Sequence, residues 1–156
     1  MSPNDKNLPY VDRPYKGVFR VSSRFGVVEK LRKGRKHKGI DFAVPVNTPL
    51  FACFDGVIVS KPDTDGNGAG NRVLIYNYAR NLYALYFHMS NFVKDYTYSP
   101  IKTGELVGWS GNSGHSSGPH LHFELRRISD NVSLEPLFTD EYTLSEARQV
   151  DYEELA

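Results

Sequence analysis

Apolar and polar residues alternate in short runs along most of the chain, and this alternation predicts β-strands rather than helices. Gly, Pro, Asn and Asp separate the runs at short intervals, as is typical of antiparallel domains. Strands are predicted for residues 18–22, 49–60, 71–78, 82–88, 105–110 and 120–126. No helical period lies between them, so the sequence predicts a mainly β domain built on an antiparallel sheet.

Both ends of the chain differ from the middle in amino-acid composition and lack its strand pattern. Residues 1–16 are polar and rich in proline, which predicts an extended N-terminal arm. Residues 17–140 carry the strand signals and form the predicted domain. Residues 141–156 form a C-terminal tail, whose helix-compatible, acidic composition from residue 143 onward indicates either a short closing helix or a frayed end.

Bulk composition narrows the classes of protein that the chain fits. With 156 residues, of which 40% are hydrophobic and 24% charged, it fits one globular domain. The formal net charge of +1 gives no electrostatic case for binding nucleic acid or an anionic membrane. The first residues lack the apolar segment of a signal peptide, and no apolar run reaches the length of a membrane span. We therefore expect the protein neither to bind nucleic acid nor to insert into a membrane.

One cysteine, Cys53, changes the picture further, because a single thiol excludes an internal disulfide and a thiolate-based zinc finger. It lies in the apolar run of residues 50–54, where a free thiol is most often a small buried hydrophobic group. We expect Cys53 to pack in the core.

The five histidines, at 37, 88, 115, 120 and 122, are the candidate chemistry. In a strand over residues 120–126, side chains two apart share a face, so His120, His122 and Glu124 point one way while Leu121 and Phe123 enter the core. Two imidazoles on one face suit joint work on a metal and its water. The alternative is a pair of surface histidines, and the His-x-His pattern alone does not decide between these readings.

A second candidate group is His37-Lys38-Gly39-Ile40-Asp41. An imidazole and a carboxylate are both good zinc ligands, and three protein ligands plus water make the open, catalytic form of a zinc site. Gly39 permits a tight backbone that brings both side chains to one point. The alternative is a loop Asp beside a surface His. The spacing leaves open which of His120 and His122 would bind the metal.

The third group is the end of the predicted strand 82–88. The period-2 rule places Ala84, Tyr86 and His88 on one face and the intervening residues on the other. His88 is then placed to reach a site at the rim of the sheet. The His-Glu-x-x-His helix of many metalloproteases is absent from the sequence, so we expect imidazoles to accept the water's proton.

These groups resemble, in order, the motifs of the lysostaphin/LytM-type zinc metallopeptidases. The resemblance runs from about residue 21 to residue 138. It is carried by Ser23-Arg24-Phe25-Gly26, Lys38-Gly39-Ile40-Asp41-Phe42-Ala43, Asp55-Gly56-Val57-Ile58, Gly70-Asn71, Ile101-Lys102-Thr103-Gly104-Glu105-Leu106-Val107-Gly108 and Pro119-His120-Leu121-His122-Phe123-Glu124. Several separate motifs in the right order make the match specific.

The resemblance implies an antiparallel sheet of the barrel-sandwich-hybrid type, with a substrate groove whose floor holds one zinc ion. By position it implies that His37, Asp41 and His122 are the metal ligands, and that His88 and His120 are catalytic. We interpret His120 as the general base and His88 as the group that assists the oxyanion or the leaving amine. Candidates for substrate binding are Asn71, Tyr86, Ser116 and Ser117. Glu124 is a candidate for orienting an imidazole.

The implied substrate is the peptide part of bacterial peptidoglycan, in a cross-bridge or a stem peptide. The implied place of action is the cell wall, the periplasm or the exterior, for a phage lysin, a virion-associated domain or an excised domain, as a monomer or within a larger assembly. One alternative is a non-catalytic wall-binding or activator module of the same fold. Another is a lipoyl-carrier-like domain, suggested by residues 101–108, which would leave the histidines without a role.

Overall fold

The computed structural model describes residues 9–18, 20–28, 36–64, 68–114, 116, 118–139 and 148–149. Strands dominate the described part of the chain. They are β1 (Tyr10–Val11), β2 (Arg20–Ser23), β3 (Ile40–Phe42), β4 (Pro49–Phe51), β5 (Gly56–Lys61), β6 (Asn71–Asn77), β7 (Leu82–Phe92), β8 (Thr97–Ile101), β9 (Leu106–Ser110), β10 (Leu121–Arg127), β11 (Ser133–Leu134), β12 (Leu137–Phe138) and β13 (Arg148–Gln149). A single 3-10 turn, Tyr78–Arg80, joins β6 to β7. None of the described residues forms a helix with the length and hydropathy of a membrane span.

Most of the strands form one sheet, in the order β13-β2-β3-β10-β7-β6-β5-β8. The short β11 pairs with β10, and the β4–β9 pair attaches to the far end of β7. Within this sheet every pairing is antiparallel except that of β13 with β2. The predicted mainly β, antiparallel fold is confirmed. The longest strand, β7, holds the sheet together, because it pairs with β10, β6 and β9.

The single strand predicted for residues 49–60 is wrong. Two strands, β4 and β5, lie on either side of residues 52–55, where three consecutive side chains are buried and the alternation stops. The backbone there bonds to distant partners instead of a neighbouring strand. The Ala52 carbonyl accepts from the amide of Gly104, and the Cys53 carbonyl accepts from the amide of Asp12.

Sequence reasoning also overlooked β3 and β8. The first has only three residues, too few for alternation to register, and all three are buried. The second contains Pro100, a residue that interior strands disfavour, and it is tolerated here because β8 lies at the edge of the sheet.

The chain ends contribute to the sheets. Tyr10–Val11, within the predicted arm, pairs in parallel with β12, and Val11 and Tyr15 are 1% and 2% exposed. At the other end, Arg148–Gln149 pairs with β2. The remaining residues of the tail, for which a short helix was considered, lie outside the described part of the chain.

The sheet buries one face in the main core and carries the candidate chemistry on the other. Its largest fully buried side chains include Phe42, Tyr86 and Phe123, and the rings of Tyr86 and Phe123 meet edge to face at a centroid distance of 5.2 Å. Such aromatic pairs add to the free energy gained by burial alone. On the opposite face a smaller apolar cluster gathers Val59, Leu74 and Leu85.

Cys53 tests the packing of this core. It is 1% exposed, and burial raises the pKa of its thiol to about 12. Because the thiolate is the reactive species, we expect folded protein at pH 8 not to react with Ellman's reagent, while protein unfolded in guanidinium chloride reacts with one equivalent. Rapid reaction of the folded protein would contradict this packing.

Candidate metal centre and catalytic histidines

Three side chains from two segments meet at one point on the outer face of the sheet. His37 lies just before β3, Asp41 lies within β3, and His122 lies directly opposite Asp41 on β10. His37 Nε2 lies 3.1 Å from His122 Nδ1 and 3.3 Å from Asp41 Oδ1. The remaining pair, His122 Nδ1 and Asp41 Oδ1, is 2.6 Å apart. The structure thus brings together the three predicted metal ligands and chooses His122 over His120.

The donor set fits zinc in both chemistry and spacing. Imidazole nitrogen and carboxylate oxygen bind zinc at about 2.0–2.1 Å, so donors on a tetrahedral ion lie about 3.3 Å apart. Two of the three donor distances match this edge, and the third is shorter because Asp41 and His122 are hydrogen-bonded. Three protein donors leave the fourth position of a tetrahedral ion open, as in catalytic zinc sites.

Gly39 allows the first two ligands to reach the third. A Cβ atom at this position would lie 2.4 Å from the carbonyl oxygen of Phe123 and 2.8 Å from Cγ of Glu124. Only a residue without a side chain lets the segment of residues 37–41 lie this close to β10. The predicted role of Gly39 is therefore explained by close backbone approach.

The outer ring nitrogens of both ligand histidines are held by acceptors. His37 Nδ1 lies 3.1 Å from the carbonyl of Arg24 and 3.0 Å from Ser23 Oγ. His122 Nε2 lies 3.3 Å from Glu124 Oε2. A carbonyl or carboxylate accepts a hydrogen bond from the ring N–H, so the other nitrogen of each ring, His37 Nε2 and His122 Nδ1, is the one turned towards the metal position.

The buried carboxylates on either side of His122 stabilise positive charge at this site. Burial alone would raise the pKa of Asp41, but hydrogen bonds with His122 and His37 hold it well below its usual range. Burial alone would lower the pKa of His122, but its hydrogen bonds to Asp41 and Glu124 raise it to about 9. The pKa of Glu124 is lowered, against its burial, by His122 and Arg126. The cluster stabilises positive charge between two carboxylates.

His88 reaches the site through a β-bulge that the period-2 rule did not foresee. Val73 pairs with Tyr86 and Asn71 with Met89, so Phe87 and His88 lie opposite the single residue Arg72. His88 adopts φ 62°, a left-handed conformation rare outside glycine. The bulge turns His88 away from the core face that Tyr86 keeps. Its ring lies 4.7 Å from that of His120, centroid to centroid.

His88 and His120 have the same hydrogen-bond arrangement. His88 Nδ1 lies 2.7 Å from the carbonyl of Ser113, and His120 Nδ1 lies 2.8 Å from the carbonyl of Gly118. Each Nδ1 must carry the proton, so each Nε2 presents a lone pair. His120 Nε2 lies 3.8 Å from Asp41 Oδ1, beside the ligand cluster. Burial, then the neighbouring His120, lowers the pKa of His88 to about 4, so its ring is neutral at neutral pH.

The candidates for substrate binding fare differently. Tyr86 as a substrate-binding residue is wrong, because it is 0% exposed and its hydroxyl bonds to the Phe51 carbonyl and the Cys53 amide in the core. The Asn71 amide is engaged with backbone groups of Asp63 and Met89, so it holds the loops in place. Ser116 Oγ donates to the carbonyl of Gly118 and lies 3.1 Å from His120 Nδ1, which makes it a neighbour of the His120 ring. Ser117 lies outside the described residues, as does His115.

Several functional contacts were missed by sequence reasoning. Phe87 stacks on His122 with centroids 4.9 Å apart, and Arg126 forms an ion pair with Glu124 at 2.8 Å. The period-2 pattern carried a signal for Arg126, which is two residues beyond Glu124 on the same face. The carbonyls of Arg24, Ser113 and Gly118 carried none, because every residue has a carbonyl whatever its type.

Comparison with known proteins agrees with this geometry. The model of the family described as "Peptidase family M23" matches residues 35–136, the stretch that contains all three ligands and both further histidines. The chain belongs to peptidase family M23. Peptidases of this family depend on zinc, and the three residues whose donor atoms lie close enough together to hold a metal ion, His37, Asp41 and His122, all fall within the matched stretch.

Two relatives and one solved structure illustrate the match. The chain is 41% identical over 109 residues to DD-carboxypeptidase/endopeptidase Mpg of Neisseria meningitidis, an alignment covering 69% of this chain and 24% of Mpg. It is 33% identical over 129 residues to peptidoglycan DD-endopeptidase ShyA of Vibrio cholerae, covering 78% of this chain and 29% of ShyA. The catalytic domain of lysostaphin from Staphylococcus simulans superposes with a TM-score of 0.67 at 28% identity, covering 76% of this chain and 89% of that domain. The resemblance to lysostaphin-type peptidases is confirmed, and the chain spans about a quarter of the two relatives' length.

The contact between His122 and Glu124 generates a prediction about metal affinity. Glu124→Ala removes the acceptor of the His122 Nε2 proton, so we expect zinc affinity to fall by about 10–100-fold, with a smaller loss in Glu124→Gln. The measurement is the zinc Kd by competition with a chromogenic chelator. Asp130→Ala, which removes an exposed carboxylate paired with Arg127, is the control and should leave the Kd unchanged. An unchanged Kd in Glu124→Ala would refute the role.

Proposed function

We propose that this chain is a zinc metalloendopeptidase that hydrolyses peptide bonds in bacterial peptidoglycan. The observation that carries the proposal is the position of two lone-pair-bearing imidazoles, His88 and His120, beside the cluster of His37, Asp41 and His122. The family assignment supports peptide hydrolysis, and the names of the relatives support the cell wall as the place of action.

The metal and the protein have separate tasks in this proposal. Zinc held by the three ligands supplies Lewis acidity, which polarises a carbonyl and lowers the pKa of water from about 15.7 towards 7. The protein positions the substrate carbonyl and transfers protons to and from the reacting groups. Stacking of Phe87 on His122 and the hydrogen bond to Glu124 keep the ligand ring in one orientation throughout.

His120 is the proposed general base. Its Nδ1 is fixed by the Gly118 carbonyl, so Nε2 is the nitrogen that accepts the proton of the attacking water. The proton gained is stabilised by the carboxylate of Asp41, 3.8 Å from Nε2.

His88 is the proposed proton donor to the leaving amine. Its neutral ring offers a lone pair at Nε2, so His88 donates only a proton that it has first accepted there. That proton is the one the attacking water gives to His120, whose ring lies 4.7 Å from that of His88, centroid to centroid. With a pKa of about 4, set by burial and by His120, the protonated ring is a strong acid that gives its proton up readily to an amine.

Four variants divide the roles of metal binding and proton transfer. Asp41→Ala and His122→Ala should lose both zinc and activity, since each removes a metal ligand. His88→Ala and His120→Ala should retain about one zinc per chain and lose about 10²–10⁴-fold in turnover. The measurements are zinc content by mass spectrometry of metals and release of peptides from purified peptidoglycan.

Circular dichroism shows whether each variant is folded, and Asp130→Ala is the carboxylate control. Full turnover in either His88→Ala or His120→Ala would remove that residue from the mechanism. Zinc-free wild-type protein that binds cell walls without releasing peptides would favour the alternative of a wall-binding or activator module. Peptidoglycans of different cross-bridge type, digested in parallel, identify the bond that is cut.

A further inference from the structure

A cluster of four tyrosines lies on the same sheet face as the metal centre and has no part in the mechanism above. This tyrosine strip consists of Tyr76, Tyr78, Tyr83 and Tyr98. The ring of Tyr76 stacks on Tyr83 and Tyr78 at centroid distances of 5.2 and 5.8 Å and lies 6.5 Å from Tyr98. Tyr78 and Tyr98 are 64% and 57% exposed. Large aromatic side chains exposed together mark a binding surface more often than chance placement does.

The register of the sheet connects the strip to the metal centre. On β10, His122, Glu124 and Arg126 share one face, and they pair with Phe87, Leu85 and Tyr83 of β7. Arg126 Nη1 lies 3.5 Å from the Tyr83 hydroxyl. The strip therefore begins four strand residues from the ligand His122, which corresponds to about 13 Å along the sheet.

The backbone is distorted to place Tyr98 in the strip. Ser99 pairs with Ile58 and Thr97 with Val59, so Tyr98 is the extra residue of a bulge. It adopts φ 62°, a strained conformation for a bulky residue. Strained residues collect at functional surfaces, and bulges re-aim side chains next to active sites. The bulge brings the Tyr98 ring beside that of Tyr76.

We infer that the tyrosine strip binds the glycan strand of the peptidoglycan whose peptides the metal centre cuts. This inference rests on the proposed function and extends it from the peptide to the sugar chain. Tyrosine rings present apolar faces for the C–H faces of sugar rings and hydroxyls for their polar groups. The contacts among the strip's members are ring against ring, and a surface of stacked phenol rings suits the apolar faces and hydroxyls of a neutral sugar polymer.

The distance between the metal centre and the tyrosine strip also supports a glycan strand as the occupant of the strip. Each stem peptide of peptidoglycan is joined covalently to a glycan strand, and an extended peptide of about four residues spans about 13 Å. A peptide bond held at the metal centre would therefore bring its glycan within reach of Tyr83 and Tyr76. Contact with both parts of the substrate would raise the affinity for intact wall over free peptide.

Two forms of one substrate test the inference. Cross-linked peptidoglycan fragments that retain the glycan are compared with the same peptides released from the glycan by an amidase. For Tyr78→Ala we expect kcat/KM to fall about fivefold on the glycan-bearing fragments and to stay unchanged on the free peptides. Val93→Ala, which shortens an exposed apolar side chain elsewhere, should match wild type on both. Equal losses on both substrates, or no loss on either, overturn the inference.

Direct titration separates this inference from the parent proposal. Peptide-free oligomers of the wall glycan are added to wild-type protein, and the aromatic NMR signals of Tyr78 and Tyr98 are followed. Saturable shifts of these signals when the glycan is added to wild-type protein, together with loss of glycan binding in Tyr78→Ala, support the inference. Unchanged signals in wild-type protein refute it. Wild-type protein that cuts neither substrate would refute the proposed hydrolase, while the titration would still decide the glycan contact.

Discussion

The pairing of β3 with β10 is the constraint on which the site depends. It places Asp41 opposite His122, and side chains opposite each other on one face come close enough to share an ion. A slip of one residue would turn one of the two ligands into the core. The register is held by the apolar residues on either side, which are all fully buried: Ile40, Phe42, Leu121 and Phe123.

The same pairing buries negative charge that a bound metal ion would compensate. Asp41 and Glu124 are 6% and 2% exposed, and a buried carboxylate costs free energy unless positive charge compensates it. Arg126 compensates Glu124, and His122 lies between the two carboxylates. A divalent cation held by Asp41 and His122 would compensate Asp41, while Glu124 accepts the hydrogen bond from His122 Nε2. Metal affinity and the orientation of the ligand ring thus have one common cause.

Sequence reasoning predicted the parts of this arrangement that depend on alternation and on residue type. The face shared by His122 and Glu124 and the closeness of His37 to Asp41 follow from strand geometry and from Gly39. Strand alternation could not choose His122 over His120, because the choice depends on which residue lies opposite Asp41 across the β3–β10 pair. That register is a property of the folded sheet, and only the family resemblance pointed to it.

The misplacement of His88 and the single strand predicted over residues 49–60 share a physical origin, since both lie where the backbone departs from regular strand geometry. The period-2 rule placed His88 with Tyr86, and the bulge at residues 87–88 separates them into an imidazole beside His120 and a phenol in the core. Tyr98 likewise owes its position to a bulge. A regular strand offers one side chain of every two to a surface, whereas a bulge offers two in succession. Phe87 and His88 both face the site for this reason, one stacked on His122 and the other beside His120. Irregular backbone is therefore what packs this much chemistry onto one face of a sheet.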